Sequence, residues 1–574
     1  MSSIPSYEYQ SLEPGDIRLL QLLPPNPRVQ NDPIRFHIVH TSFARCNILD
    51  SFFSYEALSY VWGGSRTDPV YCNNREILVT PNLVSALSRL RKTMSKYPVF
   101  HRTLWVDSIC INQNDVLERG HQVRLMRDIY SHASRVIIWL GRSRKVEDCL
   151  TRIKHADLEL LSQNHIDRRS GARYRADWVI SAAKIFDQPW FQRVWVIQEI
   201  VFAAKTIVLN GTASIVWDQL VNVAVEGKQS PHVSAAQRMR CDAVLGIECL
   251  RNQIREDGRS KSDLQLHSGS GYQSVLSERL KPALTSGTFD RLPKDLLELA
   301  ELFRSYSATD PRDKIYAILG LALALGTDRL ASHIDADYDL GTEDLFLGFA
   351  RLVMSGPNAL RLLRNLDGPR EQPPGLPSWV PDWGRPLKIR PLAELCKPDH
   401  LLSSQRANIL KQPSPDVLKL VGKHIDTIKA VGEVLNELSG DGGVKIWTSW
   451  GSLGQKHGST PPEDFNWNAF SVPRSWRDYQ LQRHYPIRLP PHYSEVCLGR
   501  RYLLSKQKRS GIAPAGATVG DEIILFPGAQ LLSVVRQCDS SNVFYVIGEC
   551  YLDRVSLDSL IRKKIYKEGI YSLI

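Results

Sequence analysis

The sequence predicts an α/β protein: an open parallel sheet at the amino end, a helical region behind it, and a small β-rich subdomain at the carboxyl end. Three observations predict this. Through the first 215 residues, strand-like apolar runs alternate with helix-periodic stretches, the pattern of a sheet covered by helices. A helical block then runs from Leu292 to Leu325. Finally, short β-type runs separated by Gly and Asp fill Asp521–Asp553.

Residues 1–54 read as an N-terminal extension rich in Pro and polar residues, with a strand candidate at Ile17–Leu23. Glu56–Trp62 is strand-like and ends in the Gly63-Gly64 turn. Val70–Cys72 and Ile77–Val79 flank Asn73-Asn74, a hairpin pattern. Pro81-Asn82 opens a helix carrying Leu83, Leu87 and Leu90 on one face. In Leu104–Gly141 an apolar run, Leu104-Trp105-Val106, stops on Asp107. Asp115 and Glu118 form a capping-box start, and Val123, Met126 and Ile129 carry one helix toward Val136–Leu140. This is a βαβ unit, with parallel buried strands and ligand space at Asp107 and the loop Ser108–Asn114.

Residues 142–189 read as mostly helical with a loop-like Arg168–Arg173. Trp190–Val201 follows as one helix, with Trp190, Val194, Ile197 and Val201 on its apolar side. Lys205–Leu209 is a strand ended by Asn210-Gly211. The segment 216–291 is variable, with little periodic signal beyond residue 220 and a flexible insertion over Arg255–Gly271. Residues 292–385 form the helical region. There Asp310 caps a helix with Pro311 in its first turn, a second helix covers Glu343–Met354, and Leu376–Trp383 is an aromatic turn docked on the block. Residues 386–490 read as loop-rich, with turns at Gly440–Gly443 and Pro461-Pro462. Residues 491–574 are the β subdomain, with runs at Ile523–Phe526, Leu531–Val535 and Val543–Ile547.

The chain is 43% hydrophobic and 23% charged, ordinary for a globular protein. Its net charge of +11 is spread over 574 residues with no long block of like charge. The short clusters Arg500-Arg501 and Lys506–Arg509 could touch an anion or nucleic acid but read rather as solvated loops, so nucleic acid is a remoter partner. Ten cysteines lack paired spacing and no CxxC occurs, which points away from structural zinc and toward reduced thiols. The amino end lacks a signal-peptide pattern. The longest apolar run, Ile315–Leu325, falls short of the roughly 20 residues of a membrane span. A cytoplasmic protein is expected.

The general catalytic motifs are absent: no phosphate loop, no GxGxxG after a strand, no GxSxG, no HExxH. No metal site and no cofactor are expected. Glu199, four residues after Trp195, shares a helical face with it. A carboxylate beside an aromatic ring can act on a sugar or a base. It can equally pair with Arg193 on an ordinary surface.

Three blocks, Tyr55–Gly63, Leu104–Gly141 and Trp190–Glu199, resemble the fungal heterokaryon incompatibility (HET) domain. The resemblance rests on Cys110-Ile111-Asn112-Gln113, Glu118-Arg119, Ile129-Tyr130, Trp139-Leu140-Gly141 and Trp195 with Gln198-Glu199, and assigns 55–215 to that domain. Asp310–Tyr316, Leu376–Trp383 and Gly548–Tyr551 resemble segments that follow HET domains in longer fungal proteins. The resemblance implies non-self recognition between fungal cells and the induction of cell death.

The HET domain is in turn similar to the Toll/interleukin-1 receptor (TIR) domain, which implies a flavodoxin-like sheet here. Trp195–Glu199 resembles the TIR helix bearing the glutamate of NAD-cleaving members. That likeness makes Glu199 the catalytic candidate, NAD a candidate substrate, and Ser59, Tyr60, Trp62, Asp107 and Trp195 the substrate-binding candidates. It also implies an alternative, a non-enzymatic signalling module that self-assembles through this domain. Either way, an incompatibility partner protein is expected.

Overall fold

The computed structural model describes residues 4–43, 54–94, 101–155, 178–257, 293, 295–326, 329–356, 359–366, 375–396, 407–412, 414–436, 441–470, 496–538 and 542–574. The chain divides into two units: Met1–Leu296 with Tyr306–Asp339, and Leu297–Ser305 with Leu340–Ile574. Arg168–Arg173 and most of Arg255–Gly271 lie outside the described residues.

In the first unit one sheet joins β1 (Asp16–Leu22), β2 (Arg35–Ser42), β3 (Glu56–Tyr60), β4 (Asp68–Cys72), β5 (Arg75–Val79), β6 (Arg102–Trp105), β7 (Arg135–Trp139), β8 (Thr206–Asn210) and β9 (Ala213–Val216). The order is β5-β4-β2-β1-β6-β3-β7-β8-β9. Toward one edge β2 and β4 form a parallel pair, and the centre matches the expected parallel sheet: β3 runs parallel to β6 and β7, and β7 to β8. These strands are apolar along most of their length, as strands covered on both faces must be; every residue of β3 is buried. Outside the centre the sheet is mixed. β1 pairs antiparallel with both β2 and β6, and β4–β5 and β8–β9 are antiparallel hairpins. Antiparallel pairs need no crossover helix, so short connections suffice for them. The β4–β5 turn uses Asn73 and Asn74 at φ 50° and 64°, the left-handed pair that a two-residue hairpin demands.

Helices differ from expectation in three places. The βαβ crossover is not one helix but three short ones: Asp107–Cys110, Val116–Arg124 and Met126–His132. Asp115 does cap the second, accepting from the Glu118 amide at 3.0 Å, and Leu125 ends it, its amide turning back to Gln122. Trp190–Val201 is likewise not one helix. A 3-10 turn at Pro189–Gln192 gives way to extended Arg193, and the helix resumes at Val196–Val201. Finally, Trp217–Gln229 and Ala235–Asp257 are helices where little periodicity was legible. The first of these buries eight residues around its circumference, from Trp217 and Leu220 to Val225 and Gly227. A helix covered on every side carries no apolar stripe.

The helix after Asp310 begins at Asp313 and runs to Ala324. Pro311 and Arg312 form the turn before it, and the Asp310 carboxylate accepts from the Arg312 amide at 3.1 Å.

The second unit is built on β10 (Leu418–Val434), β11 (Arg500–Ser505), β12 (Ser510–Pro514), β13 (Glu522–Leu525), β14 (Leu532–Gln537), β15 (Val543–Leu552) and β16 (Lys567–Leu573). The antiparallel order β11-β12-β15-β14-β13-β10 closes on itself because β10 also pairs with β11, while β16 adds to β10 and β15. Closure removes the free edges of the sheet. Ile425, Ile428, Leu503, Ile523, Val534 and Ile547 share the buried core. β10, 17 residues long, lies in the stretch read as loop-rich. Register shifts at His424/Asp426, Ile428/Ala430 and Val431/Val434 bend it around the barrel. Of the expected Gly440–Gly443 turn, Gly440 lies outside the described residues and 441–443 instead begin a helix, Asp441–Lys456, whose Trp450 donates to the Glu433 carbonyl at 2.8 Å. Arg500 is not in a solvated loop: it is buried in β11 and donates to the Val496 and Arg390 carbonyls. Leu376–Trp383 docks on the helix Thr342–Met354 through Trp383 and Phe349, ring centroids 5.5 Å apart.

Among the described residues, no helix is long and apolar enough to cross a membrane.

Candidate functional site

The carboxyl ends of β3 and β6 bring most of the expected site residues together. Alternation along β3 sends Ser59 and Tyr60 to opposite faces of the sheet. The Ser59 hydroxyl donates to the Glu199 carboxylate and accepts from the Trp190 indole at 2.7 Å. Tyr60 shares a 2.6 Å hydrogen bond with the Ser108 hydroxyl. Where β3 ends, the Trp62 indole donates to Asp107 Oδ2 at 2.7 Å, and the Ser108 amide donates to Asp107 Oδ1 at 2.7 Å. The extended backbone at Arg193 lets its guanidinium reach the Tyr60 carbonyl.

Both carboxyls feel the charge of the Arg193 guanidinium. Burial pushes Glu199 up to about 6; Arg193 and the Ser59 hydroxyl oppose that rise, and the charge of Asp107 adds to it. Asp107 is also raised, again by burial, against the pull of Arg193, the Trp62 indole and the Ser108 amide. The pair differ in access: Glu199 is 2% exposed, whereas Asp107, Trp62 and Arg193 are partly exposed. An ionised carboxylate held in a dry niche can stabilise developing positive charge nearby.

Trp195 goes elsewhere. Its indole donates to Asp313 Oδ2 at 3.0 Å, and the Tyr338 hydroxyl donates to Asp313 Oδ1 at 2.6 Å. Burial pushes Asp313 up to about 6, held back by those two donors. Arg119 lies 3.9 Å from the Tyr338 ring centroid, a cation–π contact. One residue before Glu199, the Gln198 side chain donates to the Ala317 carbonyl. The helix Asp313–Ala324 therefore braces the short helix that carries Glu199. The sequence pointed to Asp313 only through the Asp310–Tyr316 segment, and it gave Trp190 and Ser108 no role beyond packing or loop. Arg193, expected as the partner of Glu199 on an ordinary surface, acts on it through charge, while the hydrogen bond to Glu199 comes from Ser59.

Among the described residues no group of three His, Cys, Asp or Glu side chains is placed to hold a metal ion, and none of the nine described cysteines forms a disulfide.

Residues 55–199, which contain this cluster, match the family model described as heterokaryon incompatibility protein (HET), and residues 490–573 match that of the Het-6 beta-barrel domain. The chain is 28% identical to the heterokaryon incompatibility protein 6, OR allele, of Neurospora crassa, over an alignment covering 90% of this chain and 91% of that relative. No solved structure matches it. The chain is thus similar to HET-domain proteins over 55–199 and to their Het-6 beta-barrel domain over 490–573.

Proposed function

We propose that this protein is a HET-domain incompatibility effector that triggers cell death by cleaving the nicotinamide–ribose bond of NAD at Glu199. The name of its Neurospora relative supports the incompatibility role. The observation that carries the chemistry is that Glu199 on Ser59, Asp107 on Trp62 and Arg193 on the Tyr60 carbonyl are all held at the carboxyl ends of β3 and β6, where open α/β sheets bind ligands. The central parallel strands, numbered by appearance, run second, first, third, fourth across the sheet. That is the flavodoxin-like order and supports a TIR-like reading of the domain.

In the proposed reaction the bond between ribose C1′ and the nicotinamide nitrogen breaks, and its electron pair neutralises the pyridinium. Nicotinamide leaves without protonation. The ribose passes through an oxocarbenium-like state, as in glycoside cleavage, and ionised Glu199 stabilises that charge. Water adds to C1′ and releases a proton, giving ADP-ribose. Trp62 supplies a ring for the nicotinamide and Asp107 lines the substrate, while Ser59 orients Glu199.

One observation favours a second reading. Glu199 is 2% exposed and hydrogen-bonded to Ser59, which suits a carboxyl that holds the fold of a non-enzymatic module acting by self-assembly. Expressing wild type and Glu199→Gln in fungal cells, with NAD and viability followed together, separates the two. Loss of both NAD depletion and killing in the variant supports cleavage. Killing by the variant with NAD intact supports assembly.

A further inference from the structure

The opposite ends of the same parallel strands carry a second charged feature. Four adjacent strands place a charged side chain at or just before their first position: Arg102 on β6, Glu56 on β3, Arg135 on β7, and Lys205 before β8. The register sets Glu56 directly beside Arg135, and Val136 pairs with Thr206, which places Lys205 beside Arg135. These residues line a cavity of about 590 Å³ with His101, Thr93, Thr103, Ser134 and Ser54.

The charges do not cancel. Glu56 accepts from both Arg102 and Arg135, so one carboxylate serves two guanidinium groups. Arg102 is further fixed by Thr93 at 3.0 Å. Arg135 keeps 42% of its side chain exposed. Lys205 is exposed and has no ion pair or side-chain hydrogen bond among the described residues. Three cations, two of them held by Glu56, therefore face one carboxylate across a space large enough for a small ligand. Glu56 positions the guanidiniums without consuming their whole charge, and guanidinium forks match planar or tetrahedral oxyanions.

We propose that this cavity binds a small multivalent oxyanion, with Arg135 and Lys205 contacting it and the Glu56–Arg102 pair fixing Arg135. The site is separate from Glu199 and does not depend on NAD cleavage.

Thermal unfolding of the full chain tests it, titrated with inorganic pyrophosphate or citrate, with sodium chloride holding ionic strength constant. A ligand that binds only the folded state raises Tm saturably. Wild type should show that rise. Lys205→Glu should weaken binding by about tenfold or more, while Lys205→Arg should stay within about twofold of wild type. Response to pyrophosphate alone assigns the site to phosphates, and equal response to citrate assigns it to oxyanions in general. The proposal is overturned if neither anion raises Tm, if sodium chloride alone reproduces the rise, or if Lys205→Glu responds as wild type does. Because Lys205 is exposed, the unliganded variants should melt with wild type.

Discussion

A carboxyl group almost fully removed from water needs a specific partner, and for Glu199 that partner is Ser59. Because burial raises Glu199 to about 6 from the ordinary 4.5, the folded protein takes up its proton more readily than the unfolded chain does. Its contribution to stability is therefore complete below about pH 4.5 and is lost as pH rises through about 6, a difference on the order of 2 kcal/mol. Glu199→Gln cannot ionise. Urea midpoints of the variant and wild type should separate between pH 4.5 and 7.5, the variant gaining at the higher pH. A difference constant with pH would contradict the burial of an ionisable carboxyl here. Glu199 and Asp107 were legible as acids inside apolar runs. The Ser59 contact, 140 residues away in sequence, was not, because no spacing rule links a strand to a helix that distant. Trp195 shows the limit of spacing in the other direction. Its place four residues before Glu199 suggested a shared face, yet it serves Asp313 because the helix only begins at Val196.

At the scale of elements, the strands were more legible than the helices. β3, β7 and β8 announce themselves as short buried apolar runs between turns. β10 did not, because Gly422, Gly432 and several lysines break its composition while its burial still alternates. Its partners explain the glycines: a Cβ on Gly422 would lie 2.8 Å from Ile524 and Tyr571 side-chain atoms, and one on Gly432 2.4 Å from Trp450. Gly511 in β12 is tighter still, since a Cβ there would meet the Tyr551 carbonyl oxygen of β15 at 1.9 Å. Backbone cannot swing aside as a side chain can. Gly511→Ala should therefore destabilise the barrel by about 3 kcal/mol, the upper range of overpacking costs, seen as a lower urea midpoint with unchanged Glu199 behaviour. A change under about 0.5 kcal/mol, the scale of an ordinary surface substitution, would contradict the close pairing of β12 with β15.

For the whole molecule, sequence reading recovered the progression from α/β unit to β unit but not where the barrel strands begin. Barrel closure depends on β10 pairing with β11, β13 and β16, and pairings that distant in sequence leave no local pattern. The first unit also reaches beyond the residues matched to the HET model, since β1, β2 and the segment Tyr306–Asp339 belong to it. In particular, Asp313 from that segment holds Trp195 and is itself held by Tyr338, so the cluster around Glu199 needs more than residues 55–199 to be complete. The full chain is therefore the right material for the decisive assay. Purified wild type should convert NAD to nicotinamide and ADP-ribose, with the rate rising as pH passes through about 6 and Glu199 ionises. A folded Glu199→Gln protein should lose about a hundredfold or more of that rate, the loss expected when a principal electrostatic stabiliser is removed. Equal turnover by the two proteins, or no turnover by a wild type that still kills, would contradict the account.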